Sequence, residues 1–148
     1  MKNQITSFKG EYRFLSNFWP VSIFYEGLMY PSVEHAYQAQ KTEFQEIRQK
    51  IANFEKPGDA KKFGEELKLL NQIRIDWDDN LKLDTMKFLV LQKFLENDEL
   101  QEKLMLTGTA KLIEGNDWND TFWGVCEGKG ENHLGKILME VRYNISSW

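Results

Sequence analysis

Pro31-Ser32-Val33-Glu34-His35-Ala36-Tyr37-Gln38-Ala39-Gln40-Lys41 is the stretch on which the reading of the fold turns. Ser32, just after Pro31, is a hydroxyl residue of the kind that caps a helix N-terminus. Glu34 then falls in the first turn, where free backbone N–H groups and the helix dipole favour a carboxylate. On such a helix Glu34, Gln38 and Lys41 (i, i+4, i+7) share one face, while Val33, Ala36, Tyr37 and Gln40 lie elsewhere. The small Ala36 and Ala39 let a neighbouring element come close. Taken alone, the three polar residues describe a solvated stripe on a surface helix. Taken with the acids and aromatics further along, they describe one wall of a pocket.

Upstream, residues 5 to 30 read as β or irregular structure. Val21, Ile23 and Tyr25 alternate with Ser22, Phe24 and Glu26 at the period of a strand. Glu26-Gly27 is suited to turn the chain, and Leu28-Met29-Tyr30 to return it as a partner strand. Before it, Phe14-Leu15-Ser16-Asn17-Phe18-Trp19-Pro20 sets a polar pair among aromatics. Ser16-Asn17 either caps a bend or places Asn17 on the rim of a pocket.

Downstream, Thr42-Glu43-Phe44-Gln45 fits a capping box for a second helix carrying Phe44, Ile47 and Ile51. It is either separate from the first helix or its bent continuation. Lys56-Pro57-Gly58 breaks the pattern, and Asp59 is a fresh N-cap for a short helix through Ala60, Phe63 and Glu66. Leu67 to Ile75 is ambiguous. Asp76-Trp77-Asp78-Asp79-Asn80 opens the longest helix, capped by Asp76 or Asp78 and running to about Leu95. Its core positions are Met86, Leu89, Val90, Lys93 and Phe94. Another helix starts at Asn97-Asp98-Glu99-Leu100, buries Leu100 and Leu104, and stops at Thr107-Gly108. Lys111 to Glu114 is a short strand. Asn132 is the N-cap of a final helix with the stripe Leu134, Ile137, Leu138, Val141 and Ile145. No internal repeat or linker interrupts the 148 residues, so a single domain over 1–148 is expected.

Composition narrows the functional classes. A hydrophobic content of 41% fits a globular chain, and the 14% aromatic content serves packing, stacking on flat ligands, or both. The net charge of −4 argues against bulk electrostatic binding to duplex nucleic acid, but leaves room for a local basic pocket. The single Cys126 permits no internal disulfide and is expected to be a small buried residue rather than a nucleophile. No Cys/His pair has zinc-ligand spacing, so no metal site is expected. The N-terminal Met1-Lys2-Asn3-Gln4-Ile5 lacks an apolar signal region. No stretch approaches the roughly 18 apolar residues of a membrane helix, so a soluble, cytoplasmic protein without a membrane partner is expected.

Three further features bear on chemistry. Asp120 sits in a loop among Trp118, Phe122 and Trp123, either as a turn residue or as a carboxylate in a poorly solvated site. Paired with Glu34, it suggests two-carboxylate glycosidic cleavage. One group activates water, and the other assists the leaving group or steadies positive charge on the sugar. Gly128-x-Gly130, running into a helix N-terminus, is either a flexible turn or an anion site. His35 and His133 are the only histidines, and a structural role is expected for each.

Five motifs, in order, give the chain a resemblance to a known family. They are Phe14-Leu15-Ser16-Asn17-Phe18; Pro31 to Lys41; Trp77; Asn119-Asp120-Thr121-Phe122-Trp123-Gly124; and Gly130-Glu131-Asn132-His133-Leu134-Gly135-Lys136-Ile137-Leu138-Met139. Together they resemble the YbiA-like family, also called NADAR, from about residue 8 to 143. Leu15 stands where the family usually has Phe, and Val125-Cys126-Glu127 is less glycine-rich than in many relatives. The resemblance implies a compact, mainly α fold with a small β portion (α+β). It implies a cofactor-independent N-glycosidase that separates ribose C1′ from a base nitrogen. The implied substrates are ribosylamino-pyrimidine phosphates related to riboflavin intermediates, or, alternatively, ADP-ribosylated guanine in nucleic acid. A module that binds ADP-ribose or a nucleotide without turnover is the non-enzymatic alternative. The residues carried over are Glu34, Asp120 and Lys41 for catalysis, with Lys41 either contacting phosphate or attacking the opened sugar. Asn17, Tyr37, Gln38, Trp77, Trp123 and Asn132 are the substrate-binding candidates.

Overall fold

A computed structural model describes residues 3–148. Met1 and Lys2, part of the stretch read as lacking a signal region, lie outside the described residues. In chain order the elements are β1 (Gln4–Ile5), a 3₁₀ helix (Gly10–Leu15), β2 (Ile23–Tyr25), β3 (Leu28–Tyr30), α1 (Val33–Ala39), α2 (Gln45–Ala52), α3 (Pro57–Leu69), α4 (Asp79–Leu95), α5 (Asp98–Leu106), β4 (Lys111–Leu112), β5 (Gly115–Asn116), β6 (Val125–Cys126) and α6 (His133–Ser146). The expected class, mainly α with a small β portion, is what forms. Two compact units result: Asn17–Lys93, and the residues up to Ser16 together with Phe94–Trp148.

In the Asn17–Lys93 unit, β2 and β3 make the expected hairpin, pairing Ile23 with Tyr30 and Tyr25 with Leu28. Its two-residue turn works because Glu26 (φ 50°) and Gly27 (φ 84°) both adopt the left-handed backbone that matches strand twist. α1 then packs against the hairpin, α2 and α3. Ser32 caps α1 as read, its Oγ accepting from the His35 N–H at 3.1 Å. All seven residues of α1 are buried, so the solvated-stripe reading is wrong.

α1 and α2 are separate helices, and the capping box between them does not form. The Thr42 N–H closes the end of α1 on Ala39 O, and its hydroxyl accepts from the Phe44 N–H at 3.2 Å. Phe44, which makes no side-chain cap, precedes α2. α3 starts two residues before the expected Asp59 cap. Pro57, read as a breaker, is its first residue, where a missing N–H costs nothing. α4 is capped by Asp78, whose Oδ1 accepts from the Leu81 N–H at 2.8 Å, while Asp76 pairs with Arg74. The predicted positions Met86, Leu89, Val90, Lys93 and Phe94 are all buried.

In the other unit, β1 runs parallel to β4 and β5 parallel to β6. The 3₁₀ helix replaces the β or irregular structure expected there, and buries Phe14 and Leu15. α5 and α6 form as read: Leu100 and Leu104 are buried, as is the whole predicted stripe of α6. Cys126 is a free buried thiol. Among the described residues no helix is long and apolar enough to cross a membrane.

Candidate functional site

The buried polar residues of α1 make a connected cluster in the Asn17–Lys93 unit. Glu34 is 8% exposed and Gln38 4%. One turn of helix separates them, and Gln38 Nε2 donates to Glu34 Oε2 at 2.6 Å. The Glu34 backbone N–H donates to Asn17 O at 3.0 Å, so the Ser16-Asn17 bend anchors the first turn of the helix. Asn17 Nδ2 lies 3.4 Å from Met86 Sδ on α4, and Asn17 itself is half-buried.

Lys41 lies two residues beyond the end of α1. The helix gives way to a tighter turn, with the Lys41 N–H on Gln38 O at 3.2 Å. The Arg74 N–H donates to Lys41 O at 2.7 Å, tying in the loop that carries Trp77. Lys41 Nζ is 5.5 Å from the centre of the Tyr37 ring, and the Trp77 ring is 5.6 Å from Tyr37 at 53°. These separations suit a cation–π contact and a tilted aromatic pair. Burial lowers the Lys41 pKa from 10.5, opposed by the carboxylates of Glu34 and Glu65, while Lys82 and Lys61 lower it further. The structure therefore brings together Asn17, Glu34, Tyr37, Gln38, Lys41 and Trp77.

His35 is structural, as expected, and completely buried. Nε2 lies 2.9 Å from Phe54 O, which can only accept, so Nε2 carries the proton. Nδ1 then accepts from the Ser32 hydroxyl at 2.7 Å. This hydroxyl–imidazole pair has the chemistry of a nucleophile and base, but burial keeps it from any substrate.

Asp120, Trp123 and Asn132 lie in the other unit. Asp120 Oδ1 accepts from the N–H groups of Phe122 (3.2 Å) and Trp123 (2.9 Å), the geometry of a turn residue. Asn116 grips the same loop, its Nδ2 donating to Asp120 O and its Oδ1 accepting from the Asp120 N–H. The Trp123 ring packs edge-on to Phe122 at 4.8 Å, and Phe122 lies 4.6 Å from His133.

Asn132 precedes α6 as read, but its side chain makes no cap. It adopts left-handed backbone (φ 55°, ψ 41°) and turns its carboxamide inward. Oδ1 accepts from the Glu114 N–H at 2.9 Å, and Nδ2 donates to Leu112 O at 3.0 Å. These bonds give it a structural task. The anion-site reading of Gly128-x-Gly130 also gives way to the turn: the N–H groups of Glu131, Asn132, His133 and Leu134 all donate to carbonyls of Thr121, Gly124, Phe122 and Trp123.

Gly64 is the residue that sequence reasoning passed over. It sits inside α3, where a Cβ would overlap the Gln38 carboxamide. A glycine in the middle of a helical pattern was the available signal, because it costs helix stability unless close packing requires it.

Residues 6–146 match the family model of the NADAR domain. The chain belongs to the NADAR family. This NADAR chain is 34% identical over 139 residues to N-glycosidase YbiA of Escherichia coli, covering 92% of itself and 83% of that protein. An N-glycosidase of Nostoc punctiforme is 39% identical over 138 residues, covering 90% and 86%. A riboflavin biosynthesis protein of Vibrio vulnificus is 40% identical over 130 residues; the match takes in 87% of this chain, which spans only 34% of that longer protein. The NMR structure of Escherichia coli YbiA superposes with a TM-score of 0.85 at 32% identity, covering 99% of this chain and 88% of that one. The resemblance drawn from the five motifs holds.

Proposed function

We propose that this NADAR protein is an N-glycosidase, a hydrolase that breaks the bond between ribose C1′ and a base nitrogen. The single observation that carries the proposal is the α1 cluster, with Glu34 held by Gln38 and Lys41 beside the Tyr37–Trp77 pair. A carboxylate to move protons and an aromatic face to meet the base suit such a cleavage, and the amine opens a second route. The similarity to proteins named N-glycosidases supports the same reaction class.

The preferred substrates are ribosylamino-pyrimidine phosphates, in keeping with the relative named for riboflavin biosynthesis; the acidic net charge counts against the nucleic-acid alternative. Trp77, half-buried, offers a face to the base or to the developing cation, and the buried Tyr37 ring backs it. Glu34 moves the protons. In direct hydrolysis it takes a proton from the water that adds to C1′ as the C1′–N bond breaks, and the departing nitrogen, which keeps the bonding pair, takes up a proton from solvent.

The lowered pKa of Lys41 favours a second route. Breaking the C1′–O4′ bond, with O4′ taking a proton from water, leaves an iminium between C1′ and the base nitrogen. Neutral Lys41 Nζ adds to C1′, the base departs as an amine carrying a proton, and water then releases the sugar from the lysine imine. Asp120 and Trp123 enter the proposal through the family motif alone.

Incubation with a ribosylamino-pyrimidine phosphate and, separately, with an ADP-ribosylated guanine oligonucleotide, read by mass spectrometry, tests the reaction class. Loss of the first substrate is expected. Turnover of the oligonucleotide alone would move the assignment to nucleic acid, and tight binding without turnover of either would make the protein a binding module. Glu34→Gln is expected to lower turnover at least 100-fold. Borohydride trapping should yield a ribose adduct on Lys41; no adduct together with full activity of Lys41→Arg excludes the amine route.

A further inference from the structure

We propose that Gly64 and Gln38 form a positioning device for the Glu34 carboxylate, with the bare Gly64 backbone on α3 as the seat that aims the Gln38 amide at Glu34. The proposal rests on the N-glycosidase reading for its purpose, but not for its test. The Gln38 carboxamide is only half satisfied. Nε2 is spent on Glu34 Oε2 at 2.6 Å, whereas Oε1 is buried without a hydrogen-bond partner among the described residues. A buried amide oxygen is costly to leave unmatched, so its location calls for a reason.

The reason lies on α3. A Cβ at Gly64 would overlap Oε1 and lie 2.6 Å from Cδ of Gln38, so the carboxamide occupies the space a side chain would fill. Exchanging the amide's N and O would set Oε1 against the carboxylate, a repulsive arrangement when Glu34 is ionised. With Nε2 on the carboxyl oxygen, the hydrogen bond favours the charged form of Glu34. Gln38 has been counted among the substrate-binding candidates. With 4% exposure and an amide N–H held by Glu34, it serves instead as a positioning residue.

The charged surroundings come from several elements. Lys41, just past α1, interacts with Glu34; Lys61 and Glu65 on α3 and Lys82 on α4 interact with Lys41. From α2 and the hairpin turn, Arg48 and Glu26 act on Tyr30. Within this field Gln38 is the neutral donor whose removal changes no charge.

The test is a ¹³C NMR titration of glutamate carboxyl groups, with Glu34→Gln identifying the Glu34 signal. In both Gln38→Leu and Gly64→Ala the Glu34 midpoint is expected to rise by roughly one to two pH units, the equivalent of one hydrogen bond to a charged group. Adding Gly64→Ala to Gln38→Ala should produce no further rise, because the carboxamide it would displace is gone. An unmoved midpoint in Gln38→Leu overturns the proposal, as does a rise in the double variant beyond that of Gln38→Ala alone. Gln38→Leu decides the matter even where Gly64→Ala does not fold. On ribosylamino-pyrimidine phosphate, the acid limb of the rate profile should move with the midpoint while KM stays put. If Glu34→Gln retained full turnover, the functional reading would fall and the titration would still judge the device.

Discussion

Asn132→Ala removes two hydrogen bonds whose partners are both backbone groups, the Glu114 N–H and Leu112 O. Neither partner can follow the lost side chain, because Leu112 is held in β4 and Glu114 lies two residues beyond it. A donor or acceptor abandoned in this way costs about 1–3 kcal/mol, so the pair costs about 2–6. The left-handed backbone at φ 55° adds about 1 kcal/mol for alanine, where asparagine is tolerated. The expected destabilisation is therefore about 3–7 kcal/mol, a large part of the roughly 5–15 kcal/mol that holds a domain together. Urea unfolding followed by circular dichroism reads it directly as a fall in the midpoint at unchanged slope. Asn132→Gly should recover about 1 kcal/mol through its backbone alone. A loss under about 1 kcal/mol in Asn132→Ala, with a raised KM, would refute this reasoning and return Asn132 to the substrate-binding set.

His35 should make stability fall on the acid side. Burial outweighs the Phe54 carbonyl and holds its pKa below the ordinary 6.5, so the unfolded chain takes up a proton near that pH while the folded one does not. Its contribution is complete above about pH 6.5 and is lost as pH falls towards the folded value; thermal melts at pH 7.5 and 5.5 should show a smaller drop in His35→Gln than in the parent, and equal drops would dismiss the effect. Asp78→Ala should cost about 1 kcal/mol in the same urea assay through loss of the α4 cap, whereas Asp76→Ala, which breaks an exposed pair, should cost less. The reverse order would reassign the cap.

Elements with long apolar stripes were legible in the sequence. Met86, Leu89, Val90, Lys93 and Phe94 on α4 fell on the buried side as read, the lysine included, and so did the whole stripe of α6. The hairpin was legible because Glu26-Gly27 is a turn whose chemistry is local. Boundaries set by backbone detail were not. Pro57 reads as a breaker and proves to be a first-turn residue, and Thr42 spends its hydroxyl two residues short of the α2 cap position. The two-residue parallel pairs of β1 with β4 and β5 with β6 depend on residues distant or irregular in sequence, and leave no periodic trace. At the candidate site, Glu34 and Lys41 could be singled out by type and spacing. The burial of their helix on every side could not, because Glu34, His35, Gln38 and Gln40 read as residues that seek water. Gly64 was visible only as a helix-weakening letter.

A helix of seven buried residues also has a bearing on how the protein reaches its folded state. Two turns are too few to persist alone in water, so α1 cannot serve as an early, self-sustaining seed. It gains its stability only when the hairpin, α2 and α3 close around it, and at that moment Glu34, His35 and Gln38 must find their partners together. Glu34 and Gln38 therefore come into register as part of the cooperative folding transition. Partly folded chains lack the arrangement altogether, and destabilising changes far from α1 will deplete active molecules in proportion to the unfolded fraction.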